Sequence, residues 1–182
     1  MLLSALTELD EQRERHRKMD IPCPRVQLVT TPRTQDGFWT CSDPWLSLSA
    51  RHEIRKEFAA TKDVFLVTDA GGPYVVSTPP GELTDARKEL LRADRLTKLR
   101  TLHAAVTEKG ITRLIIVSHE KCAVVRADGF TFDRVVDDYE FHAPRLRETR
   151  EWIIGNIRMT ITILLVFAVK DNNDLTRIIP VE

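Results

Sequence analysis

The sequence predicts an α/β fold: a parallel central sheet with flanking helices and one antiparallel edge strand at the C-terminus. Three observations carry it. Short apolar runs recur along the chain at Asp63-Val-Phe-Leu-Val-Thr68, Arg113-Leu-Ile-Ile-Val-Ser118 and Met159 to Val169, with the composition of strands buried on both faces of a parallel sheet. Helical stretches separate them, the longest from Thr84 to Lys109, and such alternation marks strand–helix–strand units. Finally, Asp171-Asn-Asn-Asp174 is a turn signal after the last long run, so the chain should return antiparallel over Leu175 to Val181.

Each element has its own reason. Residues 1–20 are expected to form a charged N-terminal helical arm, with Leu2, Leu6 and Leu9 at helical spacing, which Pro22 and Pro24 should end. Arg25-Val-Gln-Leu-Val-Thr30 alternates and is β-branched, so it is the first predicted strand, stopped by Pro32. Gln35 to Trp45 is polar and turn-rich and is expected as an ordered loop, followed by a helix over Leu46 to Ala60 on the Ile54–Phe58 spacing. The second strand, residues 63–68, runs straight into Asp69-Ala-Gly-Gly-Pro73. Pro79-Pro80-Gly81 then breaks the chain before the crossover helix, whose Leu90, Leu91, Leu96, Leu99, Leu102 and Val106 are expected to form one long face and which Gly110 terminates. The third strand delivers His119-Glu-Lys-Cys122 to its carboxyl end; Phe141 to Ile157 is the last helix and Met159 to Val169 the fourth strand.

Composition narrows the function. With 182 residues, 42% of them hydrophobic, the chain is sized for a single domain over 1–182. Its 27 Lys+Arg balance 27 Asp+Glu, which leaves no sequence-wide field for nucleic acid or an anionic membrane, so neither is expected as a partner. Ile161 to Val169, the longest apolar run, is well short of the roughly 20 residues of a membrane-spanning helix. Met1-Leu2-Leu3 leads into Glu8, Asp10 and Glu11 without the features of an export signal. Three cysteines are an odd count without paired spacing, so free thiols in a reducing cytoplasm are expected.

In open parallel sheets ligands bind beyond the carboxyl ends of the strands. Three loops qualify: Thr31-Pro-Arg-Thr-Gln35, Asp69-Ala-Gly-Gly72 and His119-Glu-Lys-Cys122. The His-x-x-Cys spacing lets a strand end and the turn after it aim an imidazole and a thiolate at one metal ion, although alone it is a weak signal. Gly71 and Gly72 let backbone N–H groups approach an anion, or simply make the tight turn a strand end requires. Among the other histidines, His103 on the crossover helix is expected to be half-buried and structural. His142, near the acidic run Asp137-Asp138-Tyr139-Glu140, either shuttles protons or belongs to the chemistry of a helix start.

These residues together resemble the β-class carbonic anhydrases. Val64-Phe-Leu-Val-Thr-Asp-Ala-Gly-Gly72 is similar to the family's second strand and Arg-Asn-Ala-Gly-Gly turn, with Thr68 and Asp69 in place of Arg and Asn. Leu114-Ile-Ile-Val-Ser-His-Glu-Lys-Cys-Ala123 is similar to its third strand and His-x-x-Cys-Gly, with Ala123 in place of Gly. Ile163 to Ile178 resembles its final strand, turn and return strand. The likeness spans residues 24–181 and implies that family's fold over this core, a zinc ion, and hydration of carbon dioxide to bicarbonate. It also implies a homodimer or higher homo-oligomer.

The family's first motif, Cys-x-Asp-x-Arg after the first strand, is not retained. Read directly after residues 25–30, its positions hold Thr31, Arg33 and Gln35; this is the better sequence fit. A second register takes Cys41-Ser42-Asp43 as Cys-x-Asp, with Trp45 at the Arg position and a poor strand before it. The expected metal ligands are therefore His119, Cys122 and Cys41, with Asp69 as the other candidate for the third. Asp69 and Arg33 are the candidate catalytic groups, and Gly71 and Gly72 the candidate substrate-binding ones. The opposing expectation is an inactive relative whose degenerate site binds a small anion or a protein partner.

Overall fold

Backbone pairing joins five short segments into one sheet. The computed structural model describes residues 36–43, 46, 51–58, 64–79, 81, 83–157, 160–170 and 176–182. In chain order these form β1 (Asp36–Cys41), α1 (Arg51–Glu57), β2 (Val64–Asp69), a 3-10 helix (Gly72–Val76), α2 (Asp85–Lys109), β3 (Arg113–His119), α3 (Ala123–Ala127), α4 (Val135–Asn156), β4 (Thr162–Lys170) and β5 (Thr176–Val181). The strand order is β2-β1-β3-β4-β5. β1 pairs parallel with β2 and with β3, β3 pairs parallel with β4, and β5 closes the sheet antiparallel to β4. This is the predicted class, with the C-terminal return strand on the edge.

The central strands are buried because helices cover both faces. Trp39, Leu114, Ile116 and Phe167 pack with Leu102 of α2 and Leu146 and Ile153 of α4 on one side. Phe38, Ile115, Val117 and Val166 pack with Ile54 of α1 and Val125 of α3 on the other. Each such side chain removed from water contributes about 1.5–3 kcal/mol before entropy is counted. Asp36, buried at the start of β1, is neutralised by Arg113 at the start of β3, whose Nε donates to its Oδ1 at 2.6 Å. That pair fixes the parallel register in which Asp36 stands beside Arg113.

The helix ends follow their sequence signals. Thr84 caps α2 by accepting from the Arg87 N–H, and Gly110 ends it in the left-handed region at φ 69°, where glycine carries no Cβ penalty.

Four expectations are corrected. Residues 36–41, expected within a loop, are the strand β1 with all six residues buried. β2 lies on the sheet edge and is not buried on both faces; Leu66 is 37% exposed. α4 starts at Val135, six residues before the expected Phe141, with Asp137 and Asp138 in its first turn, where carboxylates oppose the helix dipole favourably. His103 is exposed. The predicted arm over residues 1–20 and the predicted strand over residues 25–30 lie outside the described residues. Among the described residues no helix is long and apolar enough to cross a membrane.

Candidate metal centre

The strand order reverses around β1: the chain passes from β1 to β2 on one side and returns to β3 on the other. A crevice for a ligand is expected where the carboxyl ends of two such strands part. Cys41 is the last residue of β1 and His119 the last of β3. Cys122 follows three residues later as the N-cap of α3. Their ligand atoms all lie within 4.8 Å of one another, and all three residues are buried. Among the described residues this is the group of His, Cys, Asp and Glu side chains able to hold a metal ion.

The turn that carries two of the three is clamped at each step. The Glu120 N–H donates to Ala168 O of β4 at 3.1 Å, and its carboxylate accepts from the Lys170 N–H at 2.6 Å. Lys121 takes the left-handed backbone at φ 54°, a conformation that costs a residue with a side chain about 1 kcal/mol or more. Its N–H donates to the buried Asp138 of α4 at 2.7 Å. Asp138 in turn faces His142 Nε2 at 3.3 Å, and His142 Nδ1 meets Ser118 Oγ at 2.6 Å. Burial depresses the His142 pKa, with Asp138 opposing the shift.

The His119 Nδ1 lies 2.8 Å from the Glu120 carbonyl oxygen. A carbonyl only accepts, so Nδ1 is the protonated nitrogen and the neutral ring keeps its lone pair on Nε2. Backbone carbonyls hold metal-binding histidines in this tautomer. The two thiols are tightly coupled: a hydrogen bond from Cys122 holds the Cys41 pKa well below the ordinary thiol value, aided by His119 and by the Asp43 backbone against the cost of burial. Cys122 is pushed upward by the same bond and by burial, while the Val124 and Val125 backbone at the start of α3 acts against that rise. Between them the sulfurs share a proton.

Two thiolates and an imidazole suit zinc, and three protein donors leave a fourth position open, the pattern of catalytic zinc sites. Donors of a regular zinc site stand about 3.5 Å apart, a spacing compatible with ligand atoms that all lie within 4.8 Å of one another.

The remaining predicted residues are placed as follows. Arg33, like Thr31 and Gln35, lies outside the described residues, and the register through Cys41 is the one whose cysteine joins His119 and Cys122. Asp69 is not in the group. Its Oδ2 accepts from Trp39 Nε1 at 3.1 Å and its Oδ1 from Lys98 of α2. Gly71 caps the 3-10 helix at φ 83°, and Gly72, at φ 54°, lies flat against the end of β1: a Cβ there would come 2.6 Å from Cys41 N. The close approach positions Cys41. Sequence reasoning did not single out Glu120, Lys98 or Asp138. Glu120 had one available signal, a carboxylate between two candidate ligands on a strand end.

Neither a family model nor a curated protein matches the sequence. Among solved structures, the carbonic anhydrase of Glaciozyma antarctica is similar at a TM-score of 0.50 and 11% identity, over 93% of this chain and 95% of that one. A β-carbonic anhydrase of Trichomonas vaginalis reaches a TM-score of 0.49 at 14% identity, over 100% and 97% of the two chains. The carbonic anhydrase of Streptococcus mutans reaches 0.47 at 15% identity, over 96% and 97%. The chain has a β-carbonic anhydrase-like fold.

Proposed function

We propose that the protein is a zinc-dependent lyase that hydrates carbon dioxide to bicarbonate, with Cys41, His119 and Cys122 as ligands. The observation that supports this reading is the convergence of those three donors at the strand-order reversal of the sheet. The chemistry zinc supplies at such a site is Lewis acidity, enough to bring the pKa of water to about 7. Cys41 and Cys122 provide the negative charge, His119 is oriented by the Glu120 carbonyl, and the clamped turn keeps imidazole and thiol in one place. Apolar neighbours of the centre, Phe38, Val117 and Val125, favour a small nonpolar gas over water. A homodimer in a reducing compartment, where Cys41 and Cys122 stay free as they are here, belongs to the same reading.

Trp45 at the place of the family's Arg favours a second reading: the metal site is degenerate, carbon dioxide is not turned over, and the crevice serves as an anion or partner site. Zinc per chain by elemental analysis, together with stopped-flow hydration assays, separates the two. The lyase reading expects about one zinc per chain and a rate above buffer that Cys122→Ser abolishes. Full zinc without a rate overturns the lyase reading, and no zinc after loading does so too and leaves anion or partner binding as the account.

A further inference from the structure

Beside Cys122, residues of α3, the segment after it and the start of α4 line a cavity of about 180 Å³. Its wall is built of two chemistries. Val125, Phe130 and Phe132 make an apolar side, and the rings are held firm: Phe130 and Phe132 each stand about 5 Å from Phe141, at 4.9 and 5.0 Å between centroids. Arg145 lies 3.6 Å over the same Phe141 ring. The polar part of the lining includes Lys121, Arg126 and Thr131. Lys121 and Arg126 are exposed, and among the described residues neither is in an ion pair.

One carboxylate also lines the cavity, Asp138, but its oxygens are already directed at the Lys121 N–H and at His142. The two cations thus outnumber it. Ligand pockets for drug-sized molecules run from about 300 Å³ upward, so this cavity suits an occupant of a few heavy atoms. An anion with a compact apolar body satisfies both walls: two uncommitted cations with a hydroxyl for its oxygens, and an aromatic floor for its carbon atoms.

We propose that this cavity is a binding site for a short-chain carboxylate, held by Lys121 and Arg126 with its alkyl end against Phe130 and Phe132. The site is distinct from the open position of the metal centre and does not depend on the presence of zinc. Because Cys122 and Lys121 line the cavity and also belong to the turn after His119, an occupied cavity bears directly on that turn.

The test is an NMR titration of the full-length protein with propionate, bicarbonate and inorganic phosphate, with zinc content measured on each sample. Saturable shifts at Arg126, Thr131 and Phe132 with propionate are expected in zinc-loaded and chelator-treated protein alike. Arg126→Gln and Lys121→Gln should each weaken propionate about tenfold, and Phe132→Ala should weaken propionate while leaving the fold's spectrum intact. Binding that disappears on chelation would place the probe on the metal and overturn the proposal. Equal affinity for phosphate or bicarbonate would overturn the carboxylate assignment, and so would propionate binding unchanged in both cation variants. A protein that holds no zinc but binds propionate as described retains this site while the lyase reading fails.

Discussion

Gly72 stands so close to the end of β1 that a Cβ on it would lie 2.6 Å from Cys41 N and 3.1 Å from Cys41 Cα. The neighbour is backbone and cannot rotate away, and the φ of 54° at Gly72 adds strain for any L side chain. Gly72→Ala should therefore cost about 2 kcal/mol or more, a Tm loss of roughly 4–8 °C, and should displace Cys41 enough to lower zinc per chain. Gly129→Ala is the control, because it shares a positive φ of 91° but would meet nothing within 4 Å. Equal Tm losses and equal zinc in the two variants would refute a positioning role for Gly72.

Cys41 and Asp69 are cross-strand partners at the ends of β1 and β2, yet only Cys41 joins His119 and Cys122. Asp69 is engaged by Lys98, whose side chain is 12% exposed, and by Trp39. Cys41→Ser should reduce bound zinc to near nothing, whereas Asp69→Asn should keep it and lose about 1 kcal/mol of stability, the scale of a partly exposed ion pair and hydrogen bond. Elemental analysis beside thermal melts reads both. Zinc lost in Asp69→Asn but retained in Cys41→Ser would reverse the assignment.

What was legible in the sequence follows from how each segment is stabilised. β3, β4 and β5, with α2 between β2 and β3, were readable because apolar runs, a Thr cap and a terminal Gly state their structure locally. His119 and Cys122 were readable for the same reason: one turn carries both. β1 was not, since Asp36-Gly-Phe-Trp-Thr-Cys41 opens with two residues poor in strand propensity. Its strand state comes from partners distant in sequence. Arg113 neutralises Asp36, and Gly37 lets Ile111 and Leu114 come within about 3 Å of where its Cβ would be. The preference for the register through Thr31 rests on the strand predicted over residues 25–30, which lie outside the described residues, so in the sequence Cys41 stands beside Asp69 as one candidate for the third ligand. α4 starts six residues before the expected Phe141, and the acidic run that helix-start chemistry explains is its first turn.

His142 is buried and its pKa is depressed, chiefly by desolvation. A histidine that resists protonation when folded binds fewer protons than the unfolded chain below the unfolded pKa of about 6.5. Stability from this source is therefore complete above about pH 6.5 and falls as the pH drops below it, levelling off once the folded pKa is passed. Each unit of depression corresponds to about 1.4 kcal/mol. Denaturant melts of metal-free protein should show this loss between about pH 6.5 and 5, with a smaller slope in His142→Gln. In an NMR titration His142 should stay neutral through the ordinary histidine range around pH 6.5. Protonation of His142 at or above that range would rule the argument out.

The proton shared by Cys41 and Cys122 sets the pH dependence of metal uptake. In metal-free protein the Cys41 sulfur is held low and the Cys122 thiol high by one hydrogen bond, so near neutrality the pair retains a proton that zinc must displace to engage both sulfurs as thiolates. Binding should release about one proton per ion into a weakly buffered solution containing a pH indicator. By the same linkage zinc affinity should strengthen about tenfold per pH unit between pH 6.5 and 7.5. The sign is fixed by competition: protons favour the empty pair, so zinc is lost as pH falls. Uptake without proton release, or an affinity flat across that range, would show that the two sulfurs are not the ligands.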